Sequence, residues 1–216
     1  MIAFVVAALM GIMLIHILME SIPALREVGI KMFLPSSEWR PVSAAPQYGL
    51  LPAVTGTLYV SGLAVLFAMI LGVACACFLT FFMPKKLASV CLAFIDLVAG
   101  IPSVIFGFIG LTVLVKAFVK YLKMTAGQCV LVAGIVLGIG RAFGETMAVI
   151  MIAGNQAWIP DNMFQGIRTL TANIVMEMGY AQDLHREALI ATGVVLFVFI
   201  LIINTLFSIL KRREAK

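Results

Sequence analysis

Five long apolar runs, each ended by polar or basic residues, constrain this chain more than any other feature of its sequence. They cover about residues 2–18, 57–82, 87–118, 128–153 and 188–210. A helix needs about 20 mostly apolar residues to cross the hydrocarbon core of a bilayer. An open sheet leaves backbone groups unsatisfied in lipid, so the spanning elements must be helices. The expectation is an all-α chain, a polytopic integral membrane helical bundle forming one transmembrane domain over residues 1–216. Composition agrees: 63% of residues are apolar and 12% charged, against about 45–50% and about 25% in soluble domains. A chain of this length cannot bury so much apolar surface by folding in water, so the surplus must face lipid. The formal charge of +5 does not indicate nucleic acid, because the basic residues are scattered or lie at the ends of apolar runs.

Basic residues also give an orientation, since Lys and Arg mark the cytoplasmic side. Lys85 and Lys86 follow the second run, and Lys211, Arg212 and Arg213 follow the last. Both groups are expected inside, which places the polar loops 19–48 and 154–187 outside, with Trp39 and Tyr48 available as interface anchors. No basic stretch precedes the first run and no small-x-small site follows it, so a retained anchor is expected rather than a cleaved signal peptide. Three runs lie between the two basic groups, where an even number of crossings is required. Either one run is re-entrant, or the run 87–118 is two pieces broken at Pro102, or a span is missing.

Two places carry residues that apolar packing does not explain. Arg141 and Glu145 lie four apart in the stretch Gly138-Ile139-Gly140-Arg141-Ala142-Phe143-Gly144-Glu145-Thr146. On a helix they share a face and can pair. Charges at membrane depth cost a few kcal/mol and tend to mark substrate paths. Arg141 offers a fork of donors suited to an oxyanion, with Glu145 holding or gating it. The alternative is a neutralised structural pair that locks two helices together. At Gly100-Ile101-Pro102-Ser103, Pro102 removes a backbone hydrogen bond and should kink or break the helix. A break of that kind can line a cavity, or Asp96 nearby can be a solvated or capping residue at the interface.

The remaining chemistry is sparse. Cys75 and Cys77 point in different directions on a helix and have no histidine cluster beside them, so they are read with Cys91 and Cys129 as packing residues. His16 and His185 have no ligand or triad set around them and are expected to be structural or solvated. No metal site, catalytic residue or bound cofactor is expected. There is no phosphate-cradling Gly-rich loop with its Lys and Ser/Thr, so the chain is not read as an enzyme that hydrolyses ATP.

Several motifs lie in order along nearly the whole chain: Phe33-Leu34-Pro35, Trp39-Arg40-Pro41, Tyr48-Gly49-Leu50-Leu51-Pro52, Gly56-Thr57-Leu58 and Ala99 through Phe108. Gly138 through Asn155, Arg168-Thr169-Leu170-Thr171-Ala172 and Glu177-Met178-Gly179 follow. With these residues the chain resembles the C-type permease subunit of the phosphate-specific ATP-binding-cassette importer. The resemblance implies a type I importer permease fold in the bacterial inner membrane. It implies pairing with a sibling phosphate permease, an ATP-binding-cassette ATPase dimer that uses the ATP, and a periplasmic phosphate-binding protein. It further implies that Arg141, Glu145 and Thr146 line the phosphate path. One departure accompanies it. The family has a cytoplasmic ATPase-docking loop before the Gly-x-Gly-Arg segment, and no Glu-Ala-Ala-like stretch is present here. The chain reads as shortened by about one span plus that loop, between about Lys123 and Ile135. Two alternatives follow: a truncated, non-transporting homologue that is inert or regulates a full-length permease, and a permease for another oxyanion.

Overall fold

The computed structural model describes residues 2–34, 38–99, 103–123, 128–139 and 146–214. The fold is built from helices. Helix α1 covers Ile2–Glu27, with Arg26 in its last turn, where a cation complements the helix dipole. A short 3-10 turn over Gly29–Phe33 follows. Two two-residue strands, β1 (Trp39–Arg40) and β2 (Gln47–Tyr48), pair antiparallel with Trp39 opposite Tyr48.

Helix α2 covers Leu51–Cys77. Pro52 stands in its first turn, where a missing N–H costs nothing. A π-helical turn over Phe78–Phe82 prolongs α2 until Met83, whose extended backbone (φ −102°, ψ 137°) is what the following Pro84 demands. The apolar run 87–118 is distributed over α3 (Lys85–Ala99), α4 (Ser103–Ile109), a π-helical turn (Gly110–Val115) and α5 (Lys116–Leu122). Gly100 and Pro102 fall between α3 and α4, outside the described residues. Helices α6 (Val130–Ile139), α7 (Thr146–Ile152), α8 (Leu170–Glu177) and α9 (Asp183–Glu214) complete the chain.

Among the described residues three helical stretches are long and apolar enough to cross a membrane: Phe4–Glu27, Leu51–Phe82 and Asp183–Leu206. The shortest have 24 residues, about 36 Å at about 1.5 Å per residue, against a core of about 30 Å. Their apolar side chains stand open along the helices: Phe4 is 80% and Phe82 78% exposed. An apolar surface of that kind is stable against lipid and not against water.

The chain divides into two compact units. The first comprises Met1–Leu51 and Asn173–Lys216, and in it α1 packs along α9. The second comprises Pro52–Ala172. Its core brings Val60 and Ala64 of α2 against Val130, Ala133 and Leu137 of α6 and against Ala148 and Val149 of α7. Helices α2 and α6 approach closely at glycines: a Cβ on Gly134 would stand 2.5 Å from Leu63 Cβ, and one on Gly138 would stand 2.6 Å from Phe67 Cβ. Close helix contact through small residues is the packing expected in a bilayer.

Candidate functional sites: the α6–α7 hairpin and a buried carboxylate

The run 128–153 is not one crossing helix. The Gln128 side-chain amide donates to the Met151 carbonyl at 2.8 Å, whereas 23 residues of continuous helix would separate them by about 34 Å. Val130, Ala133 and Leu137 share a cluster with Ala148, Val149 and Ala153. Helices α6 and α7 are therefore antiparallel, and residues 140–145 join them. The expectation of a single span over 128–153 is corrected here. An apolar run with no turn-forming Pro or Asn gives no sequence signal of reversal, beyond the glycines at 138, 140 and 144.

Arg141 and Glu145 lie in that connection, outside the described residues. Thr146 is the first residue of α7 and Ser103 the first of α4. The helices that carry the Arg141–Glu145 segment are themselves firmly seated. Cys129, Val132 and Val136 pack with Ile152, and Leu114, Val115 and Phe118 lie against that group. The stem of the hairpin is also fastened at its open end, where the Val130 N–H donates to the Gln165 carbonyl at 3.2 Å.

The chain leaving α7 turns through two left-handed residues, Gly154 (φ 79°) and Asn155 (φ 52°). The Asn155 side chain donates back to the Ile150 carbonyl at 2.6 Å, and Arg168 Nε donates to the Asn155 carbonyl at 3.1 Å. The Ile167 N–H meets the Ala153 carbonyl at 2.7 Å. Thr57 accepts the Leu170 N–H at 3.0 Å while donating to the Ala53 carbonyl at 2.8 Å. Thr169 Oγ1 accepts the Ala172 N–H at 3.2 Å and so caps α8. The motifs Gly56-Thr57 and Arg168-Thr169-Leu170 thus form one clasp that ties the start of α8 to α2.

The first unit holds a second polar centre that the sequence reading did not single out. Glu177 Oε2 accepts the Trp39 indole N–H at 2.6 Å and lies 2.9 Å from His185 Nε2. Trp39 is 4%, Glu177 5% and His185 9% exposed. The His185 ring meets Tyr48 at 6.5 Å, Tyr180 at 5.8 Å and Trp39 at 6.1 Å between centroids. A buried carboxylate is tolerable only when polar partners surround it, and here an indole N–H and an imidazole nitrogen converge on one oxygen. Burial pushes the Tyr48 phenol above its usual 10.0, with the Glu27 carboxylate adding to the effect.

Trp39 and Tyr48 were expected as interface anchors and His185 as a structural or solvated residue. The two aromatics are instead buried, and His185 stands inside the first turns of α9 as a partner of Glu177. The contributing residues are up to 138 positions apart, so no local pattern could assemble them. Their only sequence signal was that Trp39, Tyr48 and Glu177 each sit in a motif of the resemblance.

Comparison with known proteins adds the following. The chain is 31% identical to the "Probable ABC transporter permease protein YqgH" of Bacillus subtilis, over 82% of this chain and 77% of that protein. It is 28% identical to the phosphate transport system permease protein PstC of Xylella fastidiosa, over 91% of this chain and 83% of the relative. It is 26% identical to the PstC protein of Haemophilus influenzae, over 97% of this chain and 88% of the relative. The aligned stretches run from 238 to 285 residues, longer than the 216 of this chain, so these relatives carry residues inside the matched region that this chain lacks. No family model and no solved structure matches.

Proposed function

The chain belongs to the permease proteins of ABC transporters, multi-pass membrane proteins built of apolar helices, and from that membership we propose that it is the transmembrane subunit of an ATP-driven phosphate importer. The observation that carries the reading is the similarity to phosphate transport permeases over most of the chain. In this reading Arg141, Glu145 and Thr146 stand on the phosphate path. Arginine supplies the fixed fork of donors that an oxyanion needs, and Glu145 keeps that fork oriented between substrate passages. The reading also assigns Gly100, Pro102 and Ser103 the role of a helix break on the preceding run.

The proposed setting is a bacterial inner membrane with a sibling phosphate permease, an ATPase dimer and a periplasmic phosphate-binding protein as partners. ATP is used by the partner subunits, and this chain binds no cofactor of its own. The antiparallel hairpin supports a re-entrant role for 128–153, since neither α6 with 10 residues nor α7 with 7 reaches across a bilayer alone. Two crossings then remain between Lys86 and the basic tail, and both basic groups lie inside. The chain is also shorter than the stretches over which its relatives align.

That shortness is the observation favouring a second reading, a non-transporting homologue that regulates a full-length permease or is inert. Affinity purification of the chain from membranes that also contain the ATPase, sibling permease and binding protein separates the two. Retention of the ATPase in stoichiometric amount is the result expected of a coupled permease, and its loss from a correctly inserted chain overturns the coupled reading. A permease for another oxyanion remains distinguished by substrate competition, in which molybdate or a phosphonate would displace phosphate.

A further inference from the structure

We propose that the loop over residues 158–164 is an interfacial membrane segment, whose side chains Trp158, Ile159, Met163 and Phe164 sit in the lipid headgroup layer at the Leu51 end of α2. These four are 50%, 37%, 52% and 52% exposed, although they belong to a loop and not to a membrane-crossing helix. Large apolar side chains gathered on one exposed loop mark a surface that something other than water covers. The backbone of the loop is suited to a water-poor setting, because its polar groups are paired within the fold. The Asp161 N–H donates to Gln165 Oε1 at 2.8 Å, and the Phe164 N–H donates to Asn162 Oδ1 at 3.0 Å. The Gln165 and Met163 carbonyls accept the N–H groups of Val130 and Leu131 at 3.2 Å each. Those two N–H groups belong to the first turn of α6, which has no partners for them within the helix.

What covers the loop follows from its depth. The apolar stretch Leu51–Phe82 has 32 residues, about 48 Å at about 1.5 Å per residue, against a hydrocarbon core of about 30 Å. Lys85 and Lys86 follow it, and their ammonium groups keep the Phe82 end at a headgroup surface. Counted from Phe82, about 20 residues use up the core, so the surplus emerges beyond Gly62 at the Leu51 end. Tyr59 stands about one turn past that limit, in the layer that tyrosine and tryptophan favour. It lines a cavity of about 180 Å³ with Val130, Pro160, Asp161, Asn162 and Met163, which puts the loop at the same depth. Below it, Leu58, Leu66, Met69 and Ile70 of α2 are exposed and continue the apolar surface into the core. Asp161 and Asn162 are exposed at the tip of the loop. A carboxylate and an amide are costly in hydrocarbon, so the loop stops among the headgroups.

The test is indole emission of the full chain in nanodiscs of phosphatidylcholine brominated either high on the acyl chains, close to the headgroup, or near the chain ends. Bromine quenches an indole only at short range. The chain contains two tryptophans, so the difference between wild type and Trp158→Phe isolates Trp158. Its emission should fall more with the shallow bromines than with the deep ones. Phe164→Trp, placed in the Trp158→Phe background, moves the reporter along the loop and should give the same order. Emission indifferent to both lipids, or quenched more by the deep bromines, overturns the proposal. So does quenching that vanishes when the sibling permease and the binding protein are added, since the loop then belongs to a protein partner. The inference requires α2 to cross the bilayer and does not rest on transport: the quenching order decides it whether or not the complex takes up phosphate.

Discussion

Trp39 and Glu177, 138 residues apart in sequence, meet at 2.6 Å in the folded first unit, and the cost of separating them can be stated. Removing one partner of a buried hydrogen bond to a charged group leaves that group unsatisfied, at about 1–3 kcal/mol. Trp39→Phe keeps a smaller aromatic ring and deletes the donor, so it should lower stability by at least about that amount, measured by thermal unfolding in detergent. Glu177→Ala should cost at least as much, because it strands both partners. Tyr48 gives a pH dependence. Its phenol is raised above 10.0 by burial first and Glu27 second, so the folded state prefers the neutral form. That stability is complete below the unfolded value and is lost as pH climbs through the folded one. Alkaline unfolding above about pH 10 should therefore be delayed in Tyr48→Phe, and identical alkaline transitions would count against a buried phenol. None of this cluster was legible from the sequence. A buried Trp, Glu and His from three separate elements have no periodicity to betray them, and a histidine beside Arg186 and Glu187 reads locally as part of a solvated loop.

At the scale of the element, the long apolar helices were legible because length and hydropathy alone specify them in a bilayer. Helix α2 stops where Pro84 requires it, and α3 begins with Lys85 and Lys86. The reversal between α6 and α7 was not legible, because an apolar face is equally at home on one long helix and on two short ones that pack together. Cysteines at positions 128 and 151, in a chain whose native cysteines are replaced, test this directly. A short bifunctional thiol reagent should link them within one chain. Failure to link in a folded chain would restore the continuous helix, in which those positions are about 34 Å apart. The α2–α6 approach makes a second demand. Gly138→Leu must displace Phe67 and Ala64, and overpacking of this kind costs about 1–3 kcal/mol, read again as a lowered unfolding temperature.

For the whole molecule, composition and the ordered motifs carried the identification further than the fold could. The class of membrane permease followed from apolar surplus and from the resemblance, and relatives aligned over most of the chain support the same family. The same alignments are longer than the chain, so the question left at this scale is whether a shortened permease still couples to ATP. The most direct measurement is phosphate uptake by vesicles containing this chain, the sibling permease, the ATPase and the binding protein, beside an Arg141→Ala variant and an ATPase-dead complex. The account predicts ATP-dependent uptake that both controls abolish. Absence of uptake with the chain correctly inserted, or uptake indifferent to Arg141→Ala, would contradict it.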